Sequence, residues 1–119
     1  MAADDQWAAL ADLEDEGERR DAILAYLTPL TELAPGDLEE AVGSFLTTEG
    51  EASGFVRKRL VLGRFHAWLE LPPAAVTAMA ANIATARDAM EGPEAMGSAT
   101  ADQAAARDLS LDEVTRLVA

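Results

Sequence analysis

Alanine supplies roughly a fifth of this chain, well above its ordinary share in globular proteins. That excess constrains the fold more than any motif does. Alanine loses no side-chain entropy on entering a helix and is the best helix former. Aromatic residues make up only 5% of the sequence, and β-branched residues are sparse, which argues against a sheet. A hydrophobic fraction of 50% over 119 residues is enough to bury a core in one domain. The expectation is an all-α, compact single-domain bundle of about five to seven helices spanning residues 1–119.

Proline and glycine punctuate the helical pattern. A first segment from about Asp4 to Glu16 carries Trp7, Leu10, Ala11 and Leu13 at helical spacing, and Gly17 interrupts it. A second apolar cluster, Ala22, Ile23, Leu24, Tyr26 and Leu27, continues the same helix with a bend or begins another. Pro29 ends it, and Pro35-Gly36 is a further break. The next helix is expected to start at Asp37 as its cap, with Glu40 completing a capping box. Leu38, Ala41, Val42, Phe45 and Leu46 then form one apolar stripe, which stops near Gly50.

Phe55 to Leu71 is the most apolar and most aromatic stretch, which predicts a helix at the centre of the bundle. Pro72-Pro73 closes it and opens a helix over 74–90, with Val76, Met79, Ala80, Ile83, Arg87 and Met90 on one face. Gly92-Pro93 ends that helix, and Glu94 to Ala99 reads as a loop. Thr100 with Gln103, and Ser110 with Glu113, are expected to cap two short final helices; Val114, Leu117 and Val118 form the apolar side of the last.

The net charge is −13, from 22 acidic and nine basic side chains, but it is unevenly spread. Residues 1–51 carry a balance of −12 and residues 70–119 a balance of −5, whereas residues 52–69 contain no acid and carry +4. Arg57, Lys58, Arg59 and Arg64 supply that island, interleaved with Phe55, Phe65, His66 and Trp68. Arginine beside aromatic rings is a common recognition surface for phosphate or acidic peptides. The same residues suit internal pairing with the acidic N-terminal helices, their long stems lying over apolar neighbours. Arg57, Lys58, Arg59, Arg64, His66 and Trp68 are therefore the candidate interaction residues.

Other chemistry is thinly represented. There is no cysteine, hence no thiolate ligand or thiol nucleophile, and His66 is the one histidine. Asp12, Glu14, Glu16 and Gly17 fall at calcium-loop positions, but the twelfth place is Ile23, where a bidentate glutamate is needed. No Gly-rich phosphate loop and no nucleophile elbow is present. No catalytic, metal or cofactor site is assigned. Met79, Met90 and Met96, with the alanine face of 74–90, leave room for self-association. The acidic start and the lack of a long apolar run predict a cytoplasmic protein without a membrane span.

Residues 103–117, with small Ala104, apolar Leu109, capping Ser110 and buried Val114 and Leu117, resemble the helix-turn-helix pattern of many bacterial regulators. The resemblance implies DNA reading by the last helix. Asp108 stands where that family usually has glycine, and Asp112 and Glu113 place negative charge where phosphates would lie. The functional expectation is a non-enzymatic interaction or regulatory module acting through a helix face on another protein, with a basic partner suited to the acidic charge. A helix-turn-helix transcription-related protein and an acidic mimic of nucleic acid are the alternatives, and direct nucleic-acid binding is disfavoured by the charge.

Overall fold

In a computed structural model, residues 5–118 are described; among them every regular element is helical. The order is α1 (Asp5–Leu10), α2 (Glu16–Leu27), a 3₁₀ turn (Thr28–Glu32), α3 (Pro35–Glu51), α4 (Gly54–Trp68), α5 (Pro73–Asp88), α6 (Gly92–Ala106) and α7 (Leu111–Val118). These seven helices make an all-α single-domain bundle, as the composition predicts. Asp4, expected to begin the first helix, lies outside the described residues, as does the side chain of Val118.

Four boundaries differ from the sequence-based expectation, each for a local reason. The first break falls at Ala11–Asp15 rather than at Gly17. Asp15 has extended backbone and its carboxylate accepts from the Glu18 N–H at 2.8 Å, so it caps α2 and leaves Gly17 in the first turn. Helix α3 begins at Pro35, not after Asp37, because proline is pre-set for the first turn and has no N–H to satisfy. The Asp37–Glu40 box is consequently not formed, and Asp37 adds its charge to the first turn instead.

The same proline effect works at Gly92-Pro93, which opens α6 as well as following α5. The expected loop at Glu94–Ala99 and the expected cap at Thr100 are both inside α6. Gly97 and Ser98 cost helix propensity, roughly 1 kcal/mol for a glycine, and tertiary packing overrides that. Ser98 accepts from Arg87 Nε through its hydroxyl at 2.9 Å. The Ser110–Glu113 box is formed reciprocally: the Ser110 N–H donates to Glu113 Oε1 at 2.8 Å and the Glu113 N–H to Ser110 Oγ at 3.1 Å.

Helix α4 is the central element, packed chiefly against α2 and α6, while α5 packs on α3. At Gly63 a Cβ would sit 2.2 Å from Ile23 Cδ1, so the missing side chain lets α2 lie directly on α4. Trp7, Ile23, Leu27, Val42, Phe45, Leu60 and Met79 are completely buried in the core. The Trp7 ring stacks obliquely on Tyr26 at 4.9 Å and on Phe45 at 5.7 Å, which ties short α1 to α2 and α3. Phe55, expected to share the apolar girth of α4, is 66% exposed at its N-terminal end. The Cα radius of gyration is 13.2 Å, close to the roughly 13 Å of a compact domain this size.

Candidate interaction surfaces

The basic island of α4 is distributed rather than gathered on one face. Arg57 donates from Nε to the Glu49 carbonyl and from Nη2 to the Gly50 carbonyl, both at 2.7 Å. It thereby closes the C-terminal end of α3, where a cation also meets the negative end of the helix dipole. Lys58 pairs with Asp108 at 2.7 Å, half-exposed. Arg59 donates to the Ala11 carbonyl at 2.8 Å and lies 4.3 Å over the Phe55 ring.

Arg64 is wholly inside the protein. Its Nε and Nη2 donate to Glu49 at 3.3 and 2.9 Å, and Nη2 also reaches Asp102 at 3.0 Å. Asp102 closely pairs with Arg87 in turn, and Glu49 accepts from the Trp7 indole N–H at 3.2 Å. The rings of Phe45, Phe65 and Trp68 lie within 5.2 to 5.7 Å of the guanidinium carbon. Burial alone would lower the Arg64 pKa, but the Glu49 and Asp102 carboxylates outweigh it and hold the group above its ordinary value. Arg64 stays charged, and the network joins α1, α3, α4, α5 and α6. Trp68, nearly buried and edge-on to Phe65, belongs to the same interior. Neither Arg64 nor Trp68 is presented to a partner in this fold.

His66 is also nearly buried, with Nε2 3.6 Å from Glu113 Oε2 on α7. Its pKa is lowered, first by burial and then by the Arg20 charge; Glu113 and Glu16 oppose the shift without reversing it. The imidazole is therefore neutral near pH 7. Together with Glu16, Arg19 and Arg20 of α2, and Phe55, Lys58 and Arg59 of α4, it lines a small pocket of about 180 Å³.

A larger cleft of about 800 Å³ opens between α3, α5 and α6. Buried Gly43, Leu46 and Glu49 form its floor, and small side chains on α5 and α6, such as Ala86, Gly97 and Ala101, keep its walls low. Its exposed margin carries Glu39, Glu51, Glu91 and Glu94. The Glu49 carboxylate at the bottom is already held by Arg64 and Trp7. Thr47, Thr85 and Ser98 bring hydroxyls to the cleft, but His66 lies in the other pocket, so no imidazole faces them. Among the described residues no group of three or more metal-capable side chains occurs.

No family model matches this chain. Comparison with curated proteins and with solved structures likewise finds no match. Helices α6 and α7 follow one another across residues 107–110. On α7, Asp112 is exposed, Glu113 is engaged with Ser110 and His66, and Arg116 donates to the Leu69 carbonyl at 3.3 Å.

Glu49 and Asp102, which hold Arg64, were not singled out by sequence. Glu49 continues the stripe of Leu38, Val42 and Phe45 at helical spacing, and an acid in an apolar register is a legible sign of a buried partner. Arg64 falls in register with Leu60, Ala67 and Leu71 and carries the matching sign. Asp102 has no such signature, and only tertiary packing brings it to Arg64 and Arg87.

Proposed function

We propose that the protein is a non-enzymatic, cytoplasmic interaction module whose cleft between α3, α5 and α6 receives an amphipathic, basic helix of a partner protein. The observation that carries this reading is the cleft itself: an open trough of about 800 Å³ floored by Gly43, Leu46 and the internally paired Glu49, with Arg57 in its lining and four glutamates along its exposed margin. Low walls of alanine and glycine allow a helix backbone to approach closely, and the floor suits apolar anchors spaced along one helix face. Glu39, Glu51, Glu91 and Glu94 are exposed and suited to meet lysine or arginine flanking those anchors. The whole-chain charge of −13 adds long-range attraction for a basic partner.

The test is a nuclear magnetic resonance titration with a helical peptide of leucine and lysine at amphipathic spacing. Saturable binding should perturb the amides of Gly43, Gly50 and Gly97, and Glu91→Lys with Glu94→Lys should weaken it about tenfold, a change of about 1.4 kcal/mol. Perturbation confined to the acidic residues of α1 and α2, or indifference to the charge reversal, would refute the cleft as the docking site. Peptide-independent dimerisation through the cleft would refute it equally and assign the surface to a second copy.

A further inference from the structure

The pocket between α2 and α4 is the reverse of its surroundings. Arg19, Arg20, Lys58 and Arg59 face it against two carboxylates, Glu16 and Asp108, in a chain whose total charge is strongly negative. The sequence separates these cations into two groups, and the fold brings them together because α2 lies on α4 with nothing but the Gly63 hydrogen between Ile23 and the α4 backbone. That close contact pre-organises the groups, so ordering them costs little at the moment of binding.

Each cation retains capacity for an anion. Arg20 makes no hydrogen bond or ion pair with any described residue, although its charge is felt by both His66 and Glu113. Arg19 and Arg59 each spend a single terminal nitrogen on backbone carbonyls, at 2.8 Å to Leu13 and Ala11 respectively. The Lys58–Asp108 pair is about half-exposed, and pairs of that kind contribute little and exchange readily. Beside these groups, Phe55 and Leu62 line the same pocket as an apolar wall, and Phe55 is stacked under Arg59.

We propose that this pocket binds the phosphoryl group of a small phosphate monoester whose apolar or aromatic body rests on Phe55. A monoester carries about −1.5 to −2 charge near pH 7 with three acceptor oxygens, which matches a fork of arginines and a lysine. A volume of about 180 Å³ holds one such group and a few attached atoms. An extended polyanion is disfavoured, because Asp12, Glu14, Asp15, Glu18 and Asp21 are exposed on the α2 side and would repel its further phosphates. The proposal is independent of the cleft, which has the opposite charge and different lining residues.

Titration of the full chain with inorganic phosphate and with phenyl phosphate, read by amide shifts and calorimetry, tests it. Both ligands should saturate at the amides around Arg20 and Lys58–Gly63, with phenyl phosphate binding several-fold more tightly. Arg20→Gln with Lys58→Gln should weaken both at least tenfold at unchanged melting temperature, and Arg20→Lys should retain most of the binding. Phe55→Ala should abolish the advantage of phenyl phosphate and leave inorganic phosphate unaffected. Shifts that chloride or acetate reproduces at equal ionic strength, or binding that survives the double substitution, would overturn the proposal. Tight binding of a single-stranded oligonucleotide at the same amides would overturn the restriction to a small monoester.

Discussion

Arg64 is the residue on which the interior turns. Burying a guanidinium is costly unless its charge is met, and Glu49 and Asp102 meet it from α3 and α6 through Nε and Nη2, while Nη1 has no hydrogen-bond partner among the described residues. Arg64→Met should therefore cost about 3–5 kcal/mol of unfolding free energy in a urea titration, because it leaves the buried Glu49 carboxylate without a cation, while Asp102 keeps Arg87. Replacing Glu49, Arg64 and Asp102 together with apolar residues of similar volume should cost much less than Arg64→Met alone. The contrast separates the penalty of an unpaired charge from the net worth of the network. The sequence offered Arg64 only as part of the basic island and did not single out Glu49; their mutual pairing was not legible, since nothing along the chain measures the distance between α3 and α4.

At the scale of elements, the decisive contact is α2 on α4. Gly63→Ala should destabilise the protein by about 1–3 kcal/mol, the usual cost of overfilling a packed core, since the new methyl meets the Ile23 side chain. Ile23→Val removes the Cδ1 atom that obstructs it and by itself costs about 0.5–1.5 kcal/mol. Thermal denaturation of the two single variants and the double variant should show the pair to be less harmful than the sum of its parts. Helix limits were legible where a side-chain cap or proline dictates them, as at Ser110 and Pro73. They were misread at Gly92-Pro93, where the same residues that end one helix start the next, and at Gly97-Ser98, where packing outweighs propensity.

Across the whole molecule, charge and stability are linked through His66. Its folded pKa lies below the ordinary 6.5, so as pH falls through 6.5 the unfolded chain takes up a proton before the native state does. The native state should therefore be fully stable with respect to this group above about pH 7 and lose stability as pH falls through the unfolded value towards the folded one. The Glu113 carboxyl, held below its ordinary value chiefly by the Ser110 N–H, adds a second loss as pH falls through the usual carboxylate range. Urea unfolding between pH 7.5 and 5.5 should show the first slope, and His66→Gln should flatten it while leaving the more acidic loss in place.

What the sequence determined by itself was local. Alanine content, apolar periodicity and the proline breaks were sufficient for an all-helical bundle with a helix over residues 55–71 at its centre, observed as Gly54–Trp68, because helix formation and amphipathic burial depend on neighbours a few positions apart. The basic island was visible as composition, yet its fate depended on distant partners. Tertiary structure alone sent Arg64 inward to Glu49 and Asp102, turned Arg57 onto the end of α3, and set Arg20 beside Lys58 and Arg59. The acidic cleft likewise exists only because α3, α5 and α6 meet. A charge acquires its role from what folding brings within a few ångströms of it, and that distance is not written along the chain.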